Sequence, residues 1–459
     1  MNYRSEAAKK FKIRTQSPQA LLAGSFAALI GIGSLLLWLP WSHARGSVGF
    51  LDALFTATSA VCVTGLVVVD TGRDFTRFGQ VVILLLIQAG GLGVMTFAAL
   101  AFRVFGRRMS LTSQAAVQDS IFQRDAARDF RTAFGGILKL TFAIEFTGAV
   151  VLFSFLRVTH SSGHALFSAV FHSISAFCNA GFSIYSDSLI GHRGARGAVV
   201  AIMGLIVLGG LGHTVLYELW RNAQWALSRN REPRAMLFSL HARTVLWTSG
   251  LLIGAGAAFM LVFGLTGGEK GAFEKAFNAL FQSVTARTAG FNTVDIGALP
   301  LASLFVLVLL MFIGGSPGSC AGGVKTTSLA IWLAQIRAGL RGQREVRLFS
   351  NRIPGDLVSR TALLLALALI WNLAGMGLLM ATEPAASGAD MSRIVFEQIS
   401  AFGTVGLSAG ITPDLTVFGK LWIILTMFVG RLGPLTLALW IIPQTHVNIR
   451  YPKGVVMIG

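Results

Sequence analysis

Residues Ile399-Ser-Ala-Phe-Gly-Thr-Val-Gly-Leu407 decide the reading of this chain. Thr404-Val405-Gly406 follows a short apolar segment, Val395 to Phe402, and precedes a polar stretch and then a long hydrophobic run. Small and β-branched residues closed by glycine favour extended backbone over helix. At membrane depth such backbone is tolerated only where protein covers it or where it lines an aqueous path. Inward-facing carbonyls on such a segment can replace an ion's hydration shell.

The same device occurs four times. Ser400–Gly406 is echoed by Ser59-Ala-Val-Cys-Val-Thr-Gly65, by Ser175-Ala-Phe-Cys-Asn-Ala-Gly181 and, one residue shorter, by Thr285-Ala-Arg-Thr-Ala-Gly290. The closing glycines Gly65, Gly181, Gly290 and Gly406 lie 116, 109 and 116 residues apart, a period that marks internal duplication. A second landmark keeps step, roughly 25 residues after each glycine: Gly90-Gly91, Gly209-Gly210, Gly314-Gly315 and Gly430-Arg431. Two landmarks in phase over four units predict a fourfold repeat.

Composition sets the class. The chain is 54% hydrophobic and 13% charged, which excludes an ordinary soluble domain. Several apolar runs reach the ~20 residues that a bilayer-spanning helix needs. Ala20–Leu39 is too long for a signal peptide and lacks a small-residue cleavage site, so it reads as a retained helix. The net charge of +18 collects at Arg4–Arg14, Arg103–Arg131, Arg221–Arg243, Arg337–Arg360 and Arg450–Lys453. The positive-inside rule then puts both termini and the inter-repeat loops in the cytoplasm of a multi-pass plasma-membrane protein surrounded by membrane lipids. No basic patch interleaved with aromatics points to nucleic acid. Cys62, Cys178 and Cys320 show no pairing or metal-ligand spacing and read as buried free thiols.

These signals predict an all-α membrane protein of four M1–pore loop–M2 repeats with pseudo-fourfold symmetry around one central pore. A basic cytoplasmic arm spans 1–17, repeat one 18–131, repeat two 132–242, repeat three 243–355, repeat four 356–447, and a tail 448–459. Eight spanning helices and four half-helices are expected. The outward M1 helices fall near Gln19–Leu39, Ala133–Leu156, Thr244–Leu265 and Leu357–Met380. The half-helices fall near Phe50–Ala60, Ala165–Phe177, Ala272–Thr285 and Ser392–Ala401. The extended filters are Val63-Thr64-Gly65, Asn179-Ala180-Gly181, Thr288-Ala289-Gly290 and Thr404-Val405-Gly406. Half-helix C-termini would aim their negative dipole ends at a central cation. The returning helices are expected at Phe78–Arg103, Ala198–Trp220, from Leu301, and at Val417–Ile442.

Repeat three breaks the pattern. Leu301–Ile313 is too short to cross, and Gly314-Gly315-Ser316-Pro-Gly318-Ser-Cys-Ala-Gly322-Gly323-Val-Lys325-Thr-Thr-Ser328 cannot stay helical. Gly318, Gly323, Lys325 and Thr326 approach a nucleotide P-loop, but Val324 intrudes and no strand precedes them. The segment is either a passive kink or a mobile loop that gates the path below the filter; broken mid-membrane helices favour the second. Arg431 stands where three repeats place glycine. An intramembrane arginine costs at least ~2.5–3.5 kcal/mol, so it should face the axis or pair with an acid such as Glu397. Arg287 and Glu397 could brace the filter as a pair, and Glu145, Gln88 and Asn372 could bond between helices. His172 and His213 read as packing residues.

With these motifs the chain resembles the Trk/Ktr/HKT superfamily of potassium transporters over nearly its whole length. The resemblance is carried by Cys62-Val-Thr-Gly65, Asn179-Ala-Gly-Phe182, Arg287-Thr-Ala-Gly-Phe-Asn292, Phe402-Gly-Thr-Val-Gly406, the interruption with Lys325, and Arg431. The Arg450-Tyr-Pro-Lys-Gly454 ending is most similar to that of the Ktr-type membrane subunit. The resemblance implies K+ uptake, with Na+ as a stimulating ion, and no enzymatic activity or organic cofactor. It implies a homodimer with one pore per protomer and a cytoplasmic nucleotide-binding regulatory ring of RCK/KTN type. A glycine closing every filter fits K+-selective members; a Na+-permeable or ammonium-conducting relative is the alternative.

Overall fold

A computed structural model describes residues 18–93, 130–159, 161–227, 238–263, 271–383 and 390–434. The arm 1–17, most of the Arg103–Arg131 cluster, the expected helix ends at Arg103 and Ile442 and the tail lie outside the described residues. The described chain is helical apart from a two-stranded ribbon, β1 (Arg347–Leu348) and β2 (Asn351–Arg352), turned by Phe349 and Ser350 at positive φ.

Four helix triplets follow one another. The first is α1 (Pro18–Trp38), α2 (Phe50–Val61) and α3 (Arg77–Gly91). The second is α4 (Phe130–Leu156), α5 (Ser162–Phe177) and α6 (Arg196–Leu211), with α7 (His213–Leu227) continuing from it. The third is α8 (Leu240–Phe263), α9 (Ala272–Thr285) and α10 (Leu301–Phe312), with α11 (Thr326–Leu340) beyond the loop. The fourth is α12 (Gly355–Thr382), α13 (Met391–Gly403) and α14 (Val417–Leu432). Within each triplet the long first helix packs on the short one. Between triplets the third helix packs on the next short helix: α3 on α5, α6 on α9, α10 on α13, and α14 back on α2. The chain thus closes on itself.

Burial is inverted relative to a water-soluble domain. Thr56, Thr58, Ser59, Ser173, Ser175, Gln282, Ser283, Gln398 and Ser400 on the short helices are buried, while Phe146, Trp247, Leu251 and Ile370 on the long helices are exposed. Apolar flanks around a polar interior suit hydrocarbon as the outer solvent. Among the described residues, Gly135–Leu156, Leu240–Phe263 and Gly355–Thr382 are long and apolar enough to cross a bilayer.

The third helices depart from expectation. Only α10 was expected to stop short, yet α3, α6, α10 and α14 run just 15, 16, 12 and 16 residues. At ~1.5 Å per residue none reaches the ~30 Å of a hydrocarbon core. The expected helix over Ala198–Trp220 is two helices bent by 110° at Gly212, whose φ is +87°. Gly433 (φ +85°) ends α14, and Gly93 (φ +66°) follows α3. Only glycine takes such φ values without strain, and each break frees backbone groups that must find partners. The loop expected to run to Ser328 also ends earlier, at Lys325, the residue before α11 begins.

Candidate functional site: a ring of four tripeptides over an intramembrane loop

The four predicted filters share one backbone conformation. Val63, Asn179, Thr288 and Thr404 open them at φ +57°, +57°, +72° and +49°, and Gly65, Gly181, Gly290 and Gly406 close them at φ +91°, +70°, +77° and +90°. The middle residues Thr64, Ala180, Ala289 and Val405 do not take positive φ. Left-handed φ in valine and threonine is strained, and such strain persists only where surrounding structure enforces it.

The enforcement comes from the hydroxyl residue that opens each motif. The amide of Thr64 donates to the Ser59 carbonyl (2.7 Å), that of Ala180 to Ser175 (2.7 Å), that of Ala289 to Thr285 (2.9 Å) and that of Val405 to Ser400 (2.9 Å). The side chains finish the wrap. Gly65 donates to Ser59 Oγ at 3.0 Å and Gly406 to Ser400 Oγ at 3.2 Å. Ser175 Oγ and Thr285 Oγ1 donate to the carbonyls of Phe182 (2.7 Å) and Phe291 (2.6 Å). Sequence reading used these four positions as landmarks and missed their role. A hydroxyl five or six residues before each glycine was the available signal.

The glycines meet. A methyl group on Gly65 would strike the Ala180 carbonyl and Gly181; on Gly181, the Ala289 carbonyl and Gly290; on Gly290, the Val405 carbonyl and Gly406; on Gly406, the Thr64 carbonyl and Gly65. Each glycine abuts the next, and the last abuts the first. All four line one cavity of about 390 Å³, whose wall also carries Asp70 and Asp187. Their carboxylates are held by turn amides, Gly72 and Arg73 on Asp70 and Gly191 on Asp187. Tyr185 also lines it; burial raises its phenol above the usual range, and the bond with Ser168 partly opposes that shift. The hydroxyls of Thr64, Thr288 and Thr404 are buried with no hydrogen-bond partner among the described residues.

The glycine-pair landmark has a packing cause. A methyl on Gly90, Gly209 or Gly430 would overlap the carbonyl of Val61, Phe177 or Phe402, the residue two before each tripeptide. The third helix therefore presses its bare backbone against the C-terminus of its own short helix. Gly314 differs: it abuts Gly322 of the loop.

The loop lies against two of the tripeptides and contributes no residue to the lining of that cavity. Gly322 packs on the Thr404 side chain, and Gly314 lies 3.4 Å from Thr288 Cγ2 as judged from an added methyl. Gly318 (φ +73°) and Gly323 (φ +63°) require glycine, whereas Gly315 is close-packed on Ala321 and the Gly210 carbonyl. Carbonyls freed by the α6 break capture the loop: Ser316 N donates to Gly210 (3.0 Å) and Cys320 N to Gly209 (3.4 Å). His213 N in turn donates to the Gly318 carbonyl at 3.2 Å. Within the loop, Thr326 Oγ1 bonds Ser316 Oγ at 3.1 Å, and Lys325 Nζ folds back on the Ala321 carbonyl.

Arg431 closes the site. Its guanidinium donates to the carbonyls of Cys320 in the loop and Gly90 on α3. It makes no ion pair with Glu397, which instead accepts from the Ser408 hydroxyl. The proposed Arg287–Glu397 pair does not form either. Arg287 donates to the Ser249 carbonyl (3.4 Å), the Ser249 hydroxyl (3.2 Å) and the Gly314 carbonyl (3.5 Å). Arg431 thus rests on main-chain oxygens beside helix breaks and Arg287 on Ser249 within α8 and on the Gly314 carbonyl, while the Nε of each has no partner among the described residues. Gln88 does bond Glu145 (3.2 Å), Gln398 bonds Asn372 (3.4 Å), and His172 is held by Ser168 and Ser183. No three His, Cys, Asp or Glu side chains converge among the described residues.

Residues 2–448 match the TrkH family, described as cation transport proteins. The chain is 38% identical to the Ktr system potassium uptake protein B of Bacillus subtilis, over 97% of this chain and 98% of that one. It is 35% identical to the potassium/sodium uptake protein NtpJ of Enterococcus hirae, over 98% and 99%. The crystal structure of the potassium transporter TrkH from Vibrio parahaemolyticus superposes with a TM-score of 0.71 at 19% identity, covering 93% of this chain and 86% of that one. These relatives are transporters and not enzymes. Sequence, fold and site agree that this chain belongs to the TrkH family of cation transport proteins.

Proposed function

We propose that the chain takes up K+ through a conduit on a pseudo-fourfold axis, with one quarter of the ring from each of the four repeats. The observation that carries this reading is the closed contact of Gly65, Gly181, Gly290 and Gly406, each ending a tripeptide of the same alternating φ. Positive φ at the first and third positions, but not the second, turns successive carbonyls to the same side, and a ring of carbonyls can replace the water around a dehydrated cation. Val63, Thr64, Asn179, Ala180, Thr288, Ala289, Thr404 and Val405 supply the other oxygens, including three unpartnered threonine hydroxyls. The membrane potential drives inward movement with ~2.3 kcal/mol per charge per 100 mV. Asp70 and Asp187 at the outer cavity raise the local cation concentration.

Gly314–Lys325 and Arg431 form the gate. The loop lies under two of the four filters, and the Arg431 charge repels a waiting cation. A cytoplasmic nucleotide-binding ring, acting from the inner side, shifts the loop by pulling on α11; the active form is a homodimer in the plasma membrane with cytoplasmic termini and Na+ stimulation. Sodium permeation is the second reading, favoured by the 35% identity to a potassium/sodium uptake protein.

K+-limited growth of uptake-deficient cells tests the proposal. Gly290→Ser and Gly406→Ser should each abolish rescue or admit Na+; unchanged K+ uptake in both, with normal surface expression, removes the filter assignment. Deleting Gly318–Gly322 should raise flux, and a folded deletion with unaltered flux makes the loop a passive kink.

A further inference from the structure

The three cysteines are distant in sequence, buried, and unoxidised. The fold brings two of them together. Cys320, in the loop, donates its thiol to the Gly91 carbonyl at 3.1 Å. Cys178, at the end of α5, packs on the same glycine, where an added methyl would lie 2.9 Å from its Cβ and also strike its sulfur. Both sulfurs therefore lie against Gly91, that of Cys320 on its carbonyl and that of Cys178 beside its Cα. Cys178 also faces the Glu145 carboxyl at 3.8 Å and the Gln88 amide oxygen at 3.9 Å. Arg431 grips the Cys320 carbonyl beside them. Cys62 holds the matching place just after α2.

Two thiols presented by separate elements suit a soft cation that accepts two ligands. A structural zinc site needs four ligands, and among the described residues no three His, Cys, Asp or Glu are placed to hold a metal ion. We propose that Cys178 and Cys320 bind one soft d10 monovalent cation, for which Ag+ is the probe, and that the bound ion clamps the intramembrane loop to the end of α5.

The balance is simple. Ag+ forms two Ag–S bonds, both thiols release their protons, and the product is a bis-thiolate of net charge −1. The adjacent Arg431 guanidinium offsets that charge, so a residue that opposes a bare cation stabilises this complex. The clamp acts because Cys320 lies between the loop's anchors: its amide holds Gly209 and its carbonyl holds Arg431. A metal–sulfur link there adds a contact that must break before the loop moves. Access by a monovalent ion and the effect on flux rest on the transport reading; the binding itself does not.

The test uses the full chain, purified and reconstituted in liposomes, with Ag+ alone as ligand. Ag+ retained after desalting is measured beside Rb+ flux. Wild type and Cys62→Ser should each retain one Ag+ per chain and lose flux, and dithiothreitol should reverse both. Cys178→Ser and Cys320→Ser, with Cys178→Ala and Cys320→Ala should a serine variant not fold, should retain no Ag+ and keep their own silver-free flux. Retention by either single variant at the wild-type level overturns the pair. Retention by the pair without loss of flux overturns the clamp. Absence of Rb+ flux from silver-free wild type counts against the transport reading, while the Ag+ stoichiometry still decides the site.

Discussion

Arg431 donates to the main-chain carbonyl of Cys320, tying α14 to the loop between α10 and α11. No carboxylate shares this contact; the second acceptor is the Gly90 carbonyl. A charged donor on a neutral oxygen contributes about 1.5–3 kcal/mol. Arg431→Ala should therefore shift the loop toward its displaced position by roughly tenfold to hundredfold. Rb+ uptake into liposomes should rise accordingly, with Arg431→Lys in between because it keeps charge but loses the fork. An Arg431→Ala protein with lowered thermal stability and unaltered flux would make this arginine a brace and not a gate.

Ser59 and Ser400 hold the amides of Gly65 and Gly406 through their hydroxyls. Alanine at either position leaves a buried N–H without its acceptor, at a cost of about 1–3 kcal/mol. The strained tripeptide, not the helix, should yield first. Ser59→Ala and Ser400→Ala should thus fold normally but lower the Rb+/Na+ permeability ratio. Thr285→Val, which removes the donor to Phe291, should do the same. Selectivity equal to wild type in all three would show that the hydroxyl wrap does not shape the filter.

The membrane class, the four motif positions and the short helices were legible because they are written in local terms: apolar run length, and a hydroxyl five or six residues before a glycine. The half-helix over Ala272–Thr285 falls where the sequence put it. The break at Gly212 was not legible. Ala198–Trp220 is apolar enough to read as one helix, and its glycines at 204, 209, 210 and 212 do not say which of them turns the chain. What bends it is non-local: the loop, about a hundred residues later, supplies the amides of Ser316 and Cys320 for the carbonyls the bend exposes. The partners of Arg287 and Arg431 were hidden for the same reason. A sequence shows acids but not which carbonyls a distant helix break leaves unpaired, so Glu397 looked like the natural partner.

The carboxylates of Glu383 and Asp52 differ in consequence. Glu383 accepts from the Thr416 amide (2.9 Å) and hydroxyl (2.7 Å), and that hydroxyl caps α14 by accepting from Gly419 N at 3.1 Å. Asp52 pairs with Lys420 at 3.0 Å, linking α2 to α14, but both side chains are partly exposed. Glu383→Ala should lower stability by about 1–3 kcal/mol, whereas Asp52→Asn should cost at most about 1 kcal/mol. Thermal unfolding in detergent checks the order; equal losses would mean the α14 cap is not the stronger anchor.

Gly430 and Gly204 are both helical glycines, and the structure assigns them opposite fates. A methyl at Gly430 overlaps the Phe402 carbonyl at the end of α13, two residues before Thr404. That neighbour is backbone and cannot rotate away, so Gly430→Ala should cost about 1–3 kcal/mol as overpacking does. The displacement passes directly to the fourth filter, so K+ uptake should fall together with stability. Around Gly204 nothing lies within 4 Å. Gly204→Ala should leave uptake intact and, by restricting the unfolded chain, raise helix stability by up to about 1 kcal/mol. Thermal unfolding and Rb+ flux on the two variants separate the cases. A harmless Gly430→Ala would mean that close approach of the returning helix to the half-helix does not set the position of the filter.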